Sequence, residues 1–355
     1  MRESKDESNI LRCAMMVALP LRRTEMKFQR STVNQLTICV ALALPSACSG
    51  VPGSQAASPV SAQQLAGADH SWMLPAAKRS DLLYVTDEGN YHVYVYDYPS
   101  GTLLGTLDTA YGSPSGLCVD KKGNIFVTEY NGQEVLEYKH GGTSPVQQLY
   151  DNGQPIGCSI DPTTGNLAVA NDMANGGGYG NIVIYKKAKG TGEVLSDYPT
   201  LGFAYWCAYD NKGNLFISGE TESFGFSFLE LPAGGGSGNF QVITLPDGTG
   251  TPPGQVGFDG KYVTMGSASS ANGLIFQFTI SGSSATLVNT TMLNGYTRLP
   301  AYFIVGANDK KGKQGKAVVA TSGGNLGFFK YPAGGNYTFQ TTQNWPWSSA
   351  VSKGK

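Results

Sequence analysis

Residues Ser115 to Thr128 read SGLCVDKKGNIFVT: a short apolar strand, a turn built on Asp120, Gly123 and Asn124, and a second strand. Variants of this stretch recur. Second strands start at Leu83 (LYVTD), Ile125 (IFVTE), Leu167 (LAVAN), Leu215 (LFISG), Tyr262 (YVTMG) and Ala317 (AVVAT), at spacings of 42, 42, 48, 47 and 55 residues. KKGN, TTGN, NKGN, FDGK and KQGK precede the last five. A period of roughly 40–50 residues holding several short strands is the mark of propeller blades. Helical repeats are disfavoured, because apolar residues alternate and Gly, Pro and Asn punctuate the chain every eight to twelve or so positions.

The Ile125 unit sets the ruler. GLCVD, IFVTE, EVLEYK and VQQLY read as four successive strands, and the next unit opens at GCSID. The third unit carries a long excursion, NDMANGGGYGN, the fourth is rich in phenylalanine (FGFSFLELP), and the fifth is the longest, with a basic turn NDKKGKQGK. The first unit starts directly with its second strand at Leu83, and the chain ends on WPWSSAVSKGK, which matches the first-strand pattern SPSGLCVDKKGN. The spacing therefore predicts an all-β, six-bladed β-propeller over residues 71–355, closed by the C-terminal strand joining the first blade. Such closure removes an open sheet edge.

Composition agrees. The chain has 355 residues, 47 of them glycine, with 19 tyrosines and 15 phenylalanines, and only 14% are charged. Disorder needs few aromatics and high charge. Residues 49–355 hold 18 Lys/Arg against 22 Asp/Glu, which gives no electrostatic reason to expect nucleic acid as a partner.

The N-terminal region reads as three pieces. Residues 1–25 mix Glu3, Asp6, Glu7 and Glu25 with a short apolar run and read as a mis-assigned extension, with Met26 the true start. Residues 26–48 have the form of a signal peptide: Lys27 and Arg30, an apolar run from Leu36 to Leu44, then small residues up to Cys48. That run falls short of the ~20 apolar residues that span a bilayer. Residues 49–70 form a polar Ser/Ala/Gln tether expected to be disordered. PSAC followed by SG resembles the lipobox of bacterial lipoproteins, with Leu44 one position further back than is usual; it implies lipidation of Cys48 and anchoring to a membrane. Ordinary secretion is the alternative.

Cys118, Cys158 and Cys207 lie in first strands of successive units. Cys158 and Cys207 each sit three residues before their turn aspartate, while Cys118 sits two before Asp120, so Cys158–Cys207 is the candidate disulfide. The alternative is three small buried apolar residues.

The turn aspartates Asp120, Asp161, Asp210, Asp259 and Asp309 each end a strand before a glycine-containing turn. There a carboxylate accepts hydrogen bonds from backbone N–H groups, and one per blade is too sparse to share an ion. The loops on the other face of the disc hold Asp87, Glu88, Glu129, Asp172, Glu220 and Glu222, all in the first four units, together with many aromatics. Tyr111, Glu129, Asn171, Asp172, Tyr205, Trp206, Glu220, Arg298 and Tyr302 are the candidate residues of a ligand mouth on that face; solvated loop acids are the alternative. The histidines His70, His92 and His140 show no metal spacing. No G-x-S-x-G elbow and no phosphate-binding glycine loop is present. The Lys310, Lys311, Lys313 and Lys316 cluster reads as a solvated basic loop.

Units such as PSGLCVDKKGNIFVTE and GCSIDPTTGNLAVAN resemble NHL-repeat propellers and, more loosely, the gluconolactonase and senescence-marker-protein class, over about residues 80–355. The looser resemblance implies a divalent cation at the channel mouth, with Glu129, Asn171 and Glu220 as its candidate ligands, although the Glu-Gly-Pro opening of that class is absent. The expectation is an exported, monomeric, lipid-anchored binding or scaffold module of the cell envelope without a cofactor, taking a protein, peptide or glycan. Metal-dependent lactonase-type hydrolysis and a purely structural repeat protein are the alternatives, because a fold hosts many functions.

Overall fold

The computed structural model describes residues 70–109, 112–195, 198–249, 253–267, 272–296, 301–305, 317–322, 324–342 and 345–354. Cys48, Tyr111, Arg298, Asp309 and the lysines of 310–316 lie outside the described residues, as do the leader and the tether.

The protein is a six-bladed β-propeller. Each blade is an antiparallel sheet in which neighbours in sequence pair. The second blade consists of Pro114–Val119, Ile125–Glu129, Glu134–Tyr138 and Pro145–Tyr150. The third runs from Gly153–Ile160, the fourth from Phe203–Tyr209, the fifth from Pro253–Phe258 and the sixth from Tyr302–Val305. The first blade has Leu82–Asp87, His92–Asp97 and Leu103–Asp108, with the C-terminal Pro346–Ser352 paired onto Leu82–Asp87 as its innermost strand. Innermost strands of neighbouring blades touch all the way round, so the tail closes the ring. One strand escaped the sequence reading. Trp72–Met73 adds a fifth, outer strand to the first blade, paired with Thr106 and Gly105. Two residues carry too short a pattern to show it.

The long excursion of the third unit is a hairpin extension: Leu167–Ala174 and Gly178–Tyr185 pair out to Ala174↔Gly178. Second strands such as LLYVTD and IFVTE are buried at every position, because each blade packs a neighbour on both faces. Six apolar clusters fill the six junctions. Between the first two blades, for example, Tyr84, Val93 and Val95 meet Leu117, Val127 and Leu136.

Near the axis the strands are too close for side chains at two positions. A Cβ on Gly116 would lie 2.1 Å from the Ile156 carbonyl oxygen, and one on Gly157 would lie 2.7 Å from that of Tyr205. A buried hydroxyl near the end of a second strand ties several blades to the next. Thr86 Oγ1 donates to the Ser115 carbonyl (2.7 Å), Thr128 Oγ1 to Ile156 (2.8 Å), Ser218 Oγ to Gly254 (2.9 Å) and Thr321 Oγ1 to Trp347 (3.2 Å).

The disulfide differs from the expected pair. Cys118 bonds Cys158, joining the innermost strands of blades two and three, and Cys207 is a free, buried thiol. The one-residue difference in offset sets the geometry. Cys158 and Cys207 share a register and so face the same way round the ring, Cys158 into the junction with blade two and Cys207 into the junction with blade three, while Cys118, one position out of step, turns the opposite way and meets Cys158. Buried among apolar groups, the Cys207 thiol is held well above its ordinary pKa, so it stays protonated.

Candidate functional site

The turn aspartates organise one face of the disc. Asp120 accepts from the backbone N–H of Lys122 and Asn124, both at 2.8 Å, and Asp210 accepts from Lys212 and Asn214 at 2.8 and 2.9 Å. Burial alone would raise the Asp161 carboxyl, but hydrogen bonds from Thr164 and Thr163 outweigh it and hold the group below the usual carboxylate range. Asp259 is held low in the same way by Tyr262, Lys261, Tyr331 and Gln277. These four carboxylates are turn supports.

The site on the other face follows from strand alternation. Count in the first four blades from the hydroxyl residues Thr86, Thr128 and Ser218 and from Ala170, which takes the same place in blade three. One residue on come Asp87, Glu129, Asn171 and Gly219; two on come Glu88, Tyr130, Asp172 and Glu220. Successive side chains point to opposite sides, so the two sets part company. Asn171 turns into the sheet, donating to Asp151 Oδ1 (2.6 Å) and Asn181 Oδ1 (2.8 Å). Glu129 is buried beside Glu134, its cross-strand neighbour. The Thr109 hydroxyl lies close to Glu129 but donates to the Tyr91 carbonyl at 2.9 Å, so neither Glu129 oxygen receives a hydrogen bond. Burial first, then the Glu134 charge, push the Glu129 carboxyl well above its ordinary range.

The second set converges at the channel mouth. Tyr130 donates to Asp172 Oδ2 at 3.1 Å, bridging blades two and three. Tyr205, on the innermost strand of blade four, donates to Glu220 Oε2 at 3.1 Å. Ser115 of blade two donates to Glu88 Oε1 of blade one at 2.9 Å. Asp172 lies close enough to Glu220 for each charge to be felt by Tyr205, and Glu88 is felt by Tyr130. Burial is the main reason that Glu88, Asp172 and Glu220 all sit above the usual carboxylate range; Asp172 adds to the rise at Glu220, while the hydroxyls of Ser115, Tyr130 and Tyr205 restrain it. The phenols of Tyr130 and Tyr205 are raised by burial and by these same carboxylates. The result is a hydroxyl–carboxylate network from four consecutive blades.

Trp206 of blade four stacks on Trp347 of blade one, with ring centroids 6.3 Å apart and planes 23° from parallel. Those innermost strands stand three blades apart in a ring of six, so the pair meets across the axis and narrows the channel.

Of the candidate mouth residues, the structure brings together Asp172, Tyr205 and Glu220, with Trp206 in the channel. Tyr302 is elsewhere: it is buried and donates to Thr264 Oγ1 at 2.8 Å between blades five and six. Glu129, Asn171 and Glu220 do not share a point, and among the described residues no three His, Cys, Asp or Glu side chains assemble as metal ligands. The residues present do not fit the cation that the looser resemblance implies. Tyr130 was missed, because the sequence does not show which of the residues that follow each second-strand hydroxyl turn toward the mouth.

Comparison with models of known families finds no match. Human NHL-repeat-containing protein 4 is 29% identical to this chain over 91 residues, which is 26% of this chain and 69% of that protein. Among solved structures, a chain of the nidogen/laminin complex superposes with a TM-score of 0.59 at 13% identity, covering 77% of this chain and 98% of that one. Streptogramin B lyase superposes at 0.50 with 12% identity, covering 80% and 86%. At such identities the structural likeness speaks for the fold alone. The chain is thus a six-bladed β-propeller whose repeats are similar in sequence to those of an NHL-repeat protein.

Proposed function

We propose that this protein is a non-catalytic binding module of the cell envelope, exported by its signal peptide and held by lipid on Cys48, which takes its ligand at the mouth formed by Glu88, Tyr130, Asp172, Tyr205 and Glu220. The observation that carries this reading is the convergence of those side chains from four blades onto one end of the channel. A rigid ring presenting irregular polar and aromatic groups on one face suits recognition. The network offers hydrogen bonds and negative charge, and its tyrosines, held protonated, serve as donors.

The test is a thermal-shift panel of envelope peptides, glycans, Ca²⁺ and Zn²⁺. A ligand at about 100 times its Kd adds about 2.7 kcal/mol, a shift of several degrees. The expected result is a shift with an organic ligand that Tyr205→Phe with Asp172→Asn abolishes. A shift with metal alone, lost in Glu129→Gln, would instead support the hydrolase.

A further inference from the structure

The face that carries the mouth also carries an aromatic shelf. Tyr179 packs edge-on against Phe203, with centroids 5.9 Å apart, and Phe203 stacks on Phe224 at 5.4 Å and 12°. Tyr179 is 52% exposed and Phe224 72%. Phe224 presents its ring from the left-handed backbone region (φ 61°) that side-chain-bearing residues seldom adopt. Phe203 pairs in the sheet with Glu220, so the shelf borders the carboxylates of the mouth.

The described basic residues are confined to one face. Every described Lys and Arg lies at the end of the disc that carries the turn aspartates: Lys121 and Lys122 in blade two, Lys212 in blade four, Lys261 in blade five and the remainder in matching turns or strand ends. The ion pairs Lys353–Asp81 (2.9 Å) and Lys186–Glu193 (3.5 Å) lie there too. On the mouth side Glu88, Asp172 and Glu220 accept from hydroxyl groups in the network above, and no described Lys or Arg is paired with them.

From this we infer that the mouth and its shelf bind a basic polypeptide segment, one bearing several Lys or Arg side chains. This rests on the mouth being the binding site. The carboxylates are spread over blades one, three and four, so they suit several cations along a chain rather than one ion. The shelf supplies what a Lys or Arg side chain needs besides charge: an apolar surface for its stem, and ring faces that attract a cation. On binding, these partly desolvated carboxylates gain a counter-charge that no described Lys or Arg supplies to them.

The test is fluorescence anisotropy of the full chain with three labelled probes: an Arg/Leu decapeptide, its Glu/Leu counterpart and a neutral chito-oligosaccharide. The basic peptide should bind, and weaken about tenfold or more when salt rises from about 50 to 300 mM. Asp172→Asn with Glu220→Gln should weaken it at least about tenfold and the surface change Phe224→Ala about threefold, whereas Lys121→Gln with Lys122→Gln on the far face should not. Equal affinity in the mouth double variant would overturn the inference, and so would tighter binding of the acidic peptide. Binding of the oligosaccharide alone, lost in Tyr205→Ala, would leave the mouth standing and remove the basic ligand. No binding of any probe would remove both. Because Phe224 is mostly exposed, its variant keeps the test meaningful should the double variant fail to fold.

Discussion

At the level of single residues, one step along a strand separates a structural group from a site group. Thr128 is wholly buried and ties two blades at once: it receives a hydrogen bond from the Gly116 N–H at 2.7 Å and donates to the Ile156 carbonyl at 2.8 Å. Replacing it with valine keeps the shape and strands both partners, which costs about 1–3 kcal/mol each when unsatisfied. Thr128→Val should therefore lower the urea midpoint clearly; a change no larger than that of the exposed Thr102→Val would refute the staple. Glu129, the next residue, is buried with neither oxygen hydrogen-bonded. Its folded pKa lies above its unfolded value, so the native state favours the proton. The associated stability is present below about pH 4.5 and is lost as pH rises through the folded pKa. Glu129→Gln should then raise Tm by about 3 °C near pH 8, on the order of 1 kcal/mol, and by less near pH 5. An equal gain at both values would show that the carboxyl is not the source. Tyr130, one residue further, belongs to the mouth. The acidic character of this stretch was legible in the sequence; which side chains turned inward was not, because that depends on where each second strand's hydroxyl meets the next blade.

At the scale of elements, the strand Pro346–Ser352 is the closing piece. It pairs with Leu82–Asp87 from Leu82↔Ser352 to Asp87↔Pro346, and its Val351 packs into the junction with blade six. Removing residues 346–355 exposes the edge of an otherwise buried strand. The truncated chain should lose its cooperative melt or drop by roughly 10 °C or more, since several kcal/mol of packing go with the strand and each is worth roughly 2–4 °C. Circular dichroism during heating checks this, and an unchanged Tm would dismantle the closure. This pairing was readable from the sequence, since the tail repeats a first-strand pattern that the first unit lacks. The disulfide was misread: side chains at equal offsets on neighbouring blades face the same way round the ring, so it is Cys118, one position out of step, that meets Cys158.

At the scale of the whole molecule, chain direction sorts charge. Strands alternate up and down, so alternate turns gather on opposite faces, and the described lysines and arginine all fall on one of them. Residues 49–355 carry a small net negative charge, with 18 Lys/Arg against 22 Asp/Glu, yet the described basic residues all gather at one end. At pH 7 and low salt it should therefore be retained on both cation and anion exchangers; retention on one alone would show the segregation to be too weak to matter. What the amino-acid sequence determined by itself is the number of blades, their order and the closing partner, because a repeat that recurs about every 45 residues allows few other ways to bury its apolar strands. What only the tertiary structure decided is which polar side chains from distant repeats meet. Tyr130 and Asp172 lie 42 positions apart in the chain and 3.1 Å apart in space, and that distance is set by how closely the innermost strands crowd the axis, where glycine at positions 116 and 157 leaves no room for anything larger.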